Sequence, residues 1–145
     1  MRIEDVINDS FTGDKQKNFL DFVAYAAENE MPLEYGDNNF WNFELGCINI
    51  EVSEEGAGFD VFISHDAFPD LPLNQREKEI LWGHLRYCED AETPGSCGCK
   101  HSPGSSKIIF GRKFDNLCSS WGIYSPDAET LDCMKRIVDA KAKLR

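Results

Sequence analysis

FWNFELGCINIEVSEEGAGFDVFIS, residues 40 to 64, decides the fold. Trp41, Phe43 and Leu45 fall on one face of an alternating run, Ile48, Ile50 and Val52 alternate with Asn49 and Glu51, and Phe59, Val61 and Ile63 alternate with Asp60 and Phe62. Period-two alternation of this kind is the mark of strands with one buried face. Gly46 and the run Glu54-Glu55-Gly56-Ala57-Gly58 join them, and connections so short predict an antiparallel meander. Cys47, at the start of the second strand, reads as a small buried hydrophobe.

Helices are predicted on either side. Upstream, Ile3, Val6 and Ile7 follow helical spacing, and a second helix from an Asp14 cap through Glu28 puts Phe19, Phe22, Val23 and Ala26 on one face. Met31-Pro32 stops it, and Tyr35 to Asn39 is turn chemistry. Downstream, Asn74-Gln75-Arg76-Glu77 has the spacing of a capping box and opens a helix to about Tyr87, with Ile80, Leu81, His84, Leu85 and Cys88 along its stripe. Lys107 to Phe110 and Trp121 to Tyr124 read as short strands. Ser125-Pro126-Asp127 is a helix start with Ser125 as the cap. The last helix buries Leu131, Met134, Val138 and Ala142, and Cys133 points about 160° away from that stripe. The expected architecture is a single α+β domain over residues 1–145, an antiparallel sheet with helices on one face and a cysteine-rich loop, 88–118, at an edge.

Charge narrows the partners. Residues 1 to 70 carry 3 basic and 16 acidic side chains and residues 71 to 145 carry 12 and 10, for a net charge of −11. So acidic a chain is a poor general binder of nucleic acid, which requires Lys and Arg to neutralise phosphates. The basic group Lys100, Lys107, Arg112 and Lys113 leaves room for an anionic ligand, although a solvated loop explains it as well. No apolar run reaches membrane-span length and the start Met1-Arg2-Ile3-Glu4-Asp5 lacks the pattern of a signal peptide, so the expectation is a cytoplasmic protein without membrane contact. In that reducing compartment six cysteines are thiols or metal ligands before they are disulfides.

Four of those cysteines, Cys88, Cys97, Cys99 and Cys118, fall within a stretch of breaker residues that cannot build a core. A tetrahedral zinc held by these four thiolates would fix it, with His101 as the variant ligand. His84 fits a satisfied core histidine better than a ligand. Cys97-Gly98-Cys99 is tighter than the usual ligand spacing, so a competing reading is a redox pair, its thiols activated by Lys100 and His101. Ser64-His65-Asp66 holds the residue types of a hydrolase triad, but neighbours on a strand point to opposite faces. No phosphate loop, His-Glu-x-x-His or Gly-x-Ser-x-Gly motif is present.

The run Phe110-Gly111-Arg112-Lys113-Phe114-Asp115-Asn116-Leu117-Cys118, followed by Pro126 to Lys135, resembles uncharacterised short proteins of anaerobic bacteria. In those a loop with Cys-Gly clusters precedes an Ile-Phe-Gly-Lys-Glu-Phe-Asp-Asn-Val-Cys segment. The likeness covers residues 84 to 138 and implies that Cys88, Cys97, Cys99 and Cys118 act as one group. The longer insert Glu89 to Ser96 and the presence of His101 depart from it, which leaves the fourth ligand open, and the resemblance implies no activity. The functional expectation is a metal-stapled binding or regulatory module for a small molecule or protein, with Trp41, Trp82 and Trp121 as aromatics that would line a pocket or fill a core. The alternatives are a thiol redox or metal-dependent enzyme and an acidic protein–protein adaptor.

Overall fold

Eleven elements follow one another in a computed structural model that describes residues 2–36, 40–43, 48–53, 58–64, 72–88, 104–118 and 120–143. They are α1 (Ile3–Ser10), α2 (Gly13–Glu28), β1 (Leu33–Tyr35), β2 (Phe40–Phe43), β3 (Ile48–Ser53), β4 (Gly58–Ser64), α3 (Gln75–Trp82), β5 (Ser105–Ile109), β6 (Arg112–Leu117), β7 (Ser120–Tyr124) and α4 (Ala128–Ala142). The class is α+β, as the alternation of residues 40 to 64 predicts. The chain gathers into two compact units, Met1–Phe62 with Ile123–Arg145, and Ile63–Gly122.

Five strands form a sheet of order β1-β2-β3-β4-β7. β1 pairs antiparallel with β2 in the register Tyr35↔Trp41, and β2 with β3 in the register Trp41↔Ile50. This sets Trp41 and Ile50 side by side on one face, where both are fully buried along with Val52. The helix α1 packs on β3, and α2 packs on β1, α1 and α4. The stripes that make this possible are the predicted ones: Ile3, Val6 and Ile7 on α1, and Phe19, Phe22, Val23 and Ala26 on α2. Each large apolar side chain so buried contributes roughly 1.5–3 kcal/mol.

Several expectations are corrected by local geometry. Tyr35, read as the start of a turn, instead ends a short strand, Leu33–Tyr35, and Gly36 N–H donates to Phe40 O just beyond it. α2 starts one residue earlier than Asp14, with Thr12 as its cap. It ends on a Schellman motif: Met31 N–H donates to Ala26 O, Glu30 N–H to Ala27 O, and Glu30 takes the left-handed conformation at φ 60°. At the start of α4 the cap is Asp127, whose Oδ1 accepts from Thr130 N–H at 2.8 Å, whereas Ser125 sits at φ 44° outside the helix. Cys133 is buried at 3% exposure and Ala142 is not, so the face that α4 buries is a broad arc through Thr130, Leu131, Cys133, Met134, Ile137 and Val138. A helix flanked on two sides buries more than a single stripe.

On the outer side of α2 and α4, Lys135 Nζ meets Asp21 Oδ2 at 2.6 Å and Asp132 Oδ1 at 3.4 Å and lies 5.2 Å from the centre of the Tyr25 ring. Its ammonium pKa is raised, chiefly by the hydrogen bond to Asp21. The Tyr25 pKa is likewise raised, chiefly because its hydroxyl donates to Asp139. For Lys135, whose folded pKa is the higher, this stabilisation is present below the ordinary lysine value and fades as pH rises through the folded one. Asp21 and Asp132 are well exposed, so each pair is worth a fraction of a kcal/mol.

In the second unit, α3 opens on the capping box that its sequence predicts. Asn74 Oδ1 accepts from Glu77 N–H at 2.8 Å and Glu77 Oε1 accepts from Asn74 N–H at 3.0 Å. The helix ends at Trp82, one turn short of the expected Tyr87, with Gly83 as its cap. β5 and β6 form an antiparallel hairpin in the register Ile109↔Arg112, and its two-residue turn has φ 49° at Phe110 and 85° at Gly111. Positive φ at both central residues is the type I′ geometry that matches strand twist. Trp82 Nε1 donates to Ile109 O at 2.9 Å, its ring lies against Phe114, and the Arg112 guanidinium covers both rings. Leu81, Leu85, Ile109, Phe110, Phe114 and Leu117 are buried in this unit.

Two substitutions test these ends. Glu30→Gly removes the side-chain clash of a left-handed residue and is expected to stabilise the protein by about 1 kcal/mol. Asp127→Ala, by removing the cap, is expected to cost about 1 kcal/mol. Urea denaturation monitored by circular dichroism reads both signs.

Candidate functional site

Past Gly83 the chain makes two more turns, His84 N–H to Leu81 O and Leu85 N–H to Trp82 O, and then leaves the helix. It enters an antiparallel pairing with the end of β6. Cys88 N–H donates to Asn116 O and Cys118 N–H donates to Arg86 O, both at 2.8 Å, which sets Tyr87 opposite Leu117. His84 and Cys88 therefore do not share a helix face, and the expected i, i+4 relation between them is absent. Two mutually bonded strands gave up one helical turn to form.

Asn116 is the centre of this arrangement. Its backbone is left-handed at φ 61°, a conformation that Asn tolerates better than most residues. That turns its side chain back across the pairing. Nδ2 donates to Cys88 O at 2.9 Å, and Oδ1 accepts from Gly104 N–H. One amide thus ties the residue before segment 89–103 to the residue after it. Gly104 fits only because it lacks a side chain: a Cβ there would lie 2.5 Å from Leu117 O and 2.7 Å from Asn116 C, both backbone atoms.

The pairing also fixes two of the expected metal ligands. Cys88 lies opposite Asn116 and Cys118 opposite Arg86, so the two cysteines stand diagonally across the Tyr87–Leu117 bridge. Cys88 is buried, with Sγ 3.8 Å from Leu117 O, and Cys118 is half-buried. Both are reduced thiols. A tetrahedral zinc shared by two thiolates would need their sulfurs about 3.8 Å apart, with Zn–S bonds of about 2.3 Å.

The other expected ligands, Cys97, Cys99 and His101, lie outside the described residues, as do Lys100, Cys47, His65 and the edge position expected for the cysteine loop. Among the described residues no three His, Cys, Asp or Glu side chains gather as a metal-binding group. Covalent reach sets their limits. His101 is three residues from Gly104, Cys99 five and Cys97 seven, so at about 3.3–3.6 Å per residue all three remain tethered within about 25 Å of that anchor. Cys133, expected on an exposed flank, belongs instead to the core of the first unit. Trp41 is buried in the core of the first unit, Trp82 is half-buried in the second, and the Trp121 side chain lies outside the described residues.

Of the basic group, Arg112 and Lys113 are exposed on the hairpin, on opposite faces, and Lys113 lies 3.9 Å from Asp115. Among the described residues no helix is long and apolar enough to cross a membrane. No family model, curated protein or solved structure matches the chain.

The contact at Gly104 yields a sharp test. Gly104→Ala forces two backbone segments apart and is expected to cost about 2–3 kcal/mol, as overpacking does where nothing can give way. Ser105→Ala, one residue on and exposed, stays within about 0.5 kcal/mol. Thermal denaturation of the two variants reads the difference, and equal melting temperatures would contradict the close approach.

Proposed function

We propose that the chain is a metal-stapled binding or regulatory module whose ion is zinc. The ligands are Cys88 and Cys118 from the ladder and Cys97 and Cys99 from segment 89–103, with His101 as the variant that replaces one thiolate. The observation that carries this reading is the diagonal placement of Cys88 and Cys118 beside an anchored segment that holds the remaining donors. The resemblance of residues 84–138 to short bacterial proteins groups the same four cysteines. A thiolate-rich tetrahedral set selects zinc or iron, and thiolates of a closed site are held against reaction. The bound partner is a small molecule or a protein of the cytoplasm, recognised by the surface that the staple holds in place.

Protein purified without added metal is expected to carry about one zinc per chain by native mass spectrometry. Cys88→Ser and Cys118→Ser release it, and Cys47→Ser and Cys133→Ser do not. Cys133→Ser nonetheless lowers the melting temperature, because it puts a hydroxyl into the core of the first unit, so metal content and stability separate. Rapid reaction of all four cysteines in the metal-replete protein, with a melting temperature indifferent to chelator, would replace the zinc reading by the redox one. Coloured protein containing iron would point the same way.

A further inference from the structure

We propose that the Arg112 face of the β5–β6 hairpin is a binding site for a small organic anion, a carboxylate carried on a planar body. The hairpin register sets Ile109 opposite Arg112 and Lys107 opposite Phe114, so Arg112 and Phe114 share the face on which Trp82 packs, while Ile108 and Lys113 share the other. On the Trp82 face the guanidinium is wedged between two rings. Its carbon lies 5.5 Å from the centre of Trp82 and 5.0 Å from that of Phe114, and the ring centres are 6.0 Å apart with planes at 55°. Both rings are fixed: Trp82 Nε1 donates to Ile109 O at 2.9 Å, and Phe114 is buried.

Arg112 is nonetheless exposed, and among the described residues no carboxylate or carbonyl oxygen pairs with its guanidinium. That does not come from a shortage of acids in a chain with 26 of them. Lys113, on the opposite face, has Asp115 at 3.9 Å, and Lys135 holds both Asp21 and Asp132. Covering two rings accounts for the stem and the flat face of Arg112 but leaves its N–H edge to water. That edge matches the paired oxygens of a carboxylate or phosphate. Seating the guanidinium on two rings also removes rotamer freedom that an anion would otherwise have to freeze.

The surroundings choose among anions. With the whole chain at −11, a polyanion is repelled and a single anionic group is the fitting charge. Trp82 is only half-buried, which leaves a planar body a ring to lie against. The turn does not obstruct approach, since even a side-chain carbon at Gly111 would meet nothing within 4 Å. This names a ligand class for the binding module proposed above and rests on that part of the reading, not on its metal, because every residue used lies in α3 or the hairpin.

The test is titration of the full, isotope-labelled chain with benzoate, neutral benzamide and inorganic phosphate, read on the Trp82 indole N–H resonance, which is assigned by its loss in Trp82→Phe. Benzoate is expected to move that resonance saturably, and benzamide is not. Phosphate, which gains nothing from the ring, binds about 10-fold more weakly. Arg112→Lys keeps the charge and loses the fork, and weakens benzoate about 10-fold. Arg112→Met keeps the cover over the rings and abolishes saturable binding, whereas Lys113→Met, on the other face, leaves it unchanged. No saturable shift in the wild type, or benzoate bound equally by Arg112→Lys or Arg112→Met, overturns the inference. Phosphate bound as tightly as benzoate overturns the part given to Trp82. Zinc content of the same samples judges the metal separately: zinc without benzoate binding sinks this inference alone, and benzoate bound by a zinc-free chain sinks the staple alone.

Discussion

The Asn116 side-chain amide is the interaction on which the second unit depends. A chain that turns away from a helix at Gly83 and returns at Gly104 leaves backbone groups at both ends of the excursion without helix or ladder partners. Buried backbone groups left unsatisfied cost about 1–3 kcal/mol each. Asn116 satisfies one on each side, Cys88 O and Gly104 N–H, with the two halves of a single amide. Few residues combine a left-handed backbone with both a donor and an acceptor. Gly supplies the backbone alone, and Asp supplies no donor.

That economy matters because the unit is small. Among its described residues, Ile63–Gly122 holds α3, the β5–β6 hairpin, the Tyr87–Leu117 bridge and the ends of β4 and β7, and modules of this size bury too small a fraction of their surface to be secure on apolar contacts alone. Trp82 answers part of the need by spanning the interface between α3 and the hairpin, its indole nitrogen fixed on Ile109 O and its ring covered by Arg112. The first unit meets the same requirement differently, by laying three helices with apolar faces beside a sheet. Its polar contacts, such as Lys135 with Asp21, trim the surface rather than hold the fold.

The sequence was legible wherever a period ran unbroken. The strands at 40 to 64, the stripes of α1 and α2 and the capping box at Asn74 all appear where alternation or cap spacing places them. β6 was not visible because its buried residues, Phe114 and Leu117, lie three apart. The left-handed step at Asn116 and the irregularity between Ser105 and Lys107 break the alternation that a strand should show. The hairpin turn was hidden for a related reason, since Phe110, a large aromatic, occupies a position that turn chemistry usually gives to Asn, Asp or Gly. Cys133 was misplaced because a single stripe was assumed for a helix that buries a wider arc. Of the candidate site, the amide of Asn116 that ties Cys88 to Gly104 was not readable. An Asn between two polar-rich segments carries no signal until the close approach at Gly104 is seen.

In the zinc reading proposed above, two staples would act on one stretch of chain, and their order would follow from the size of each cost. Closing 15 residues, 89 to 103, into a loop costs about (3/2)RT ln 15, roughly 2.4 kcal/mol, beyond a constant term. Hydrogen bonds at the base, each worth about 1 kcal/mol net, are of the right size to meet that closure cost. They are too few to order the breaker-rich interior as well, where fixing each residue costs a further 1–2 kcal/mol. A thiolate-bound zinc contributes on the larger scale that this second task demands, roughly 10–16 kcal/mol in small zinc modules.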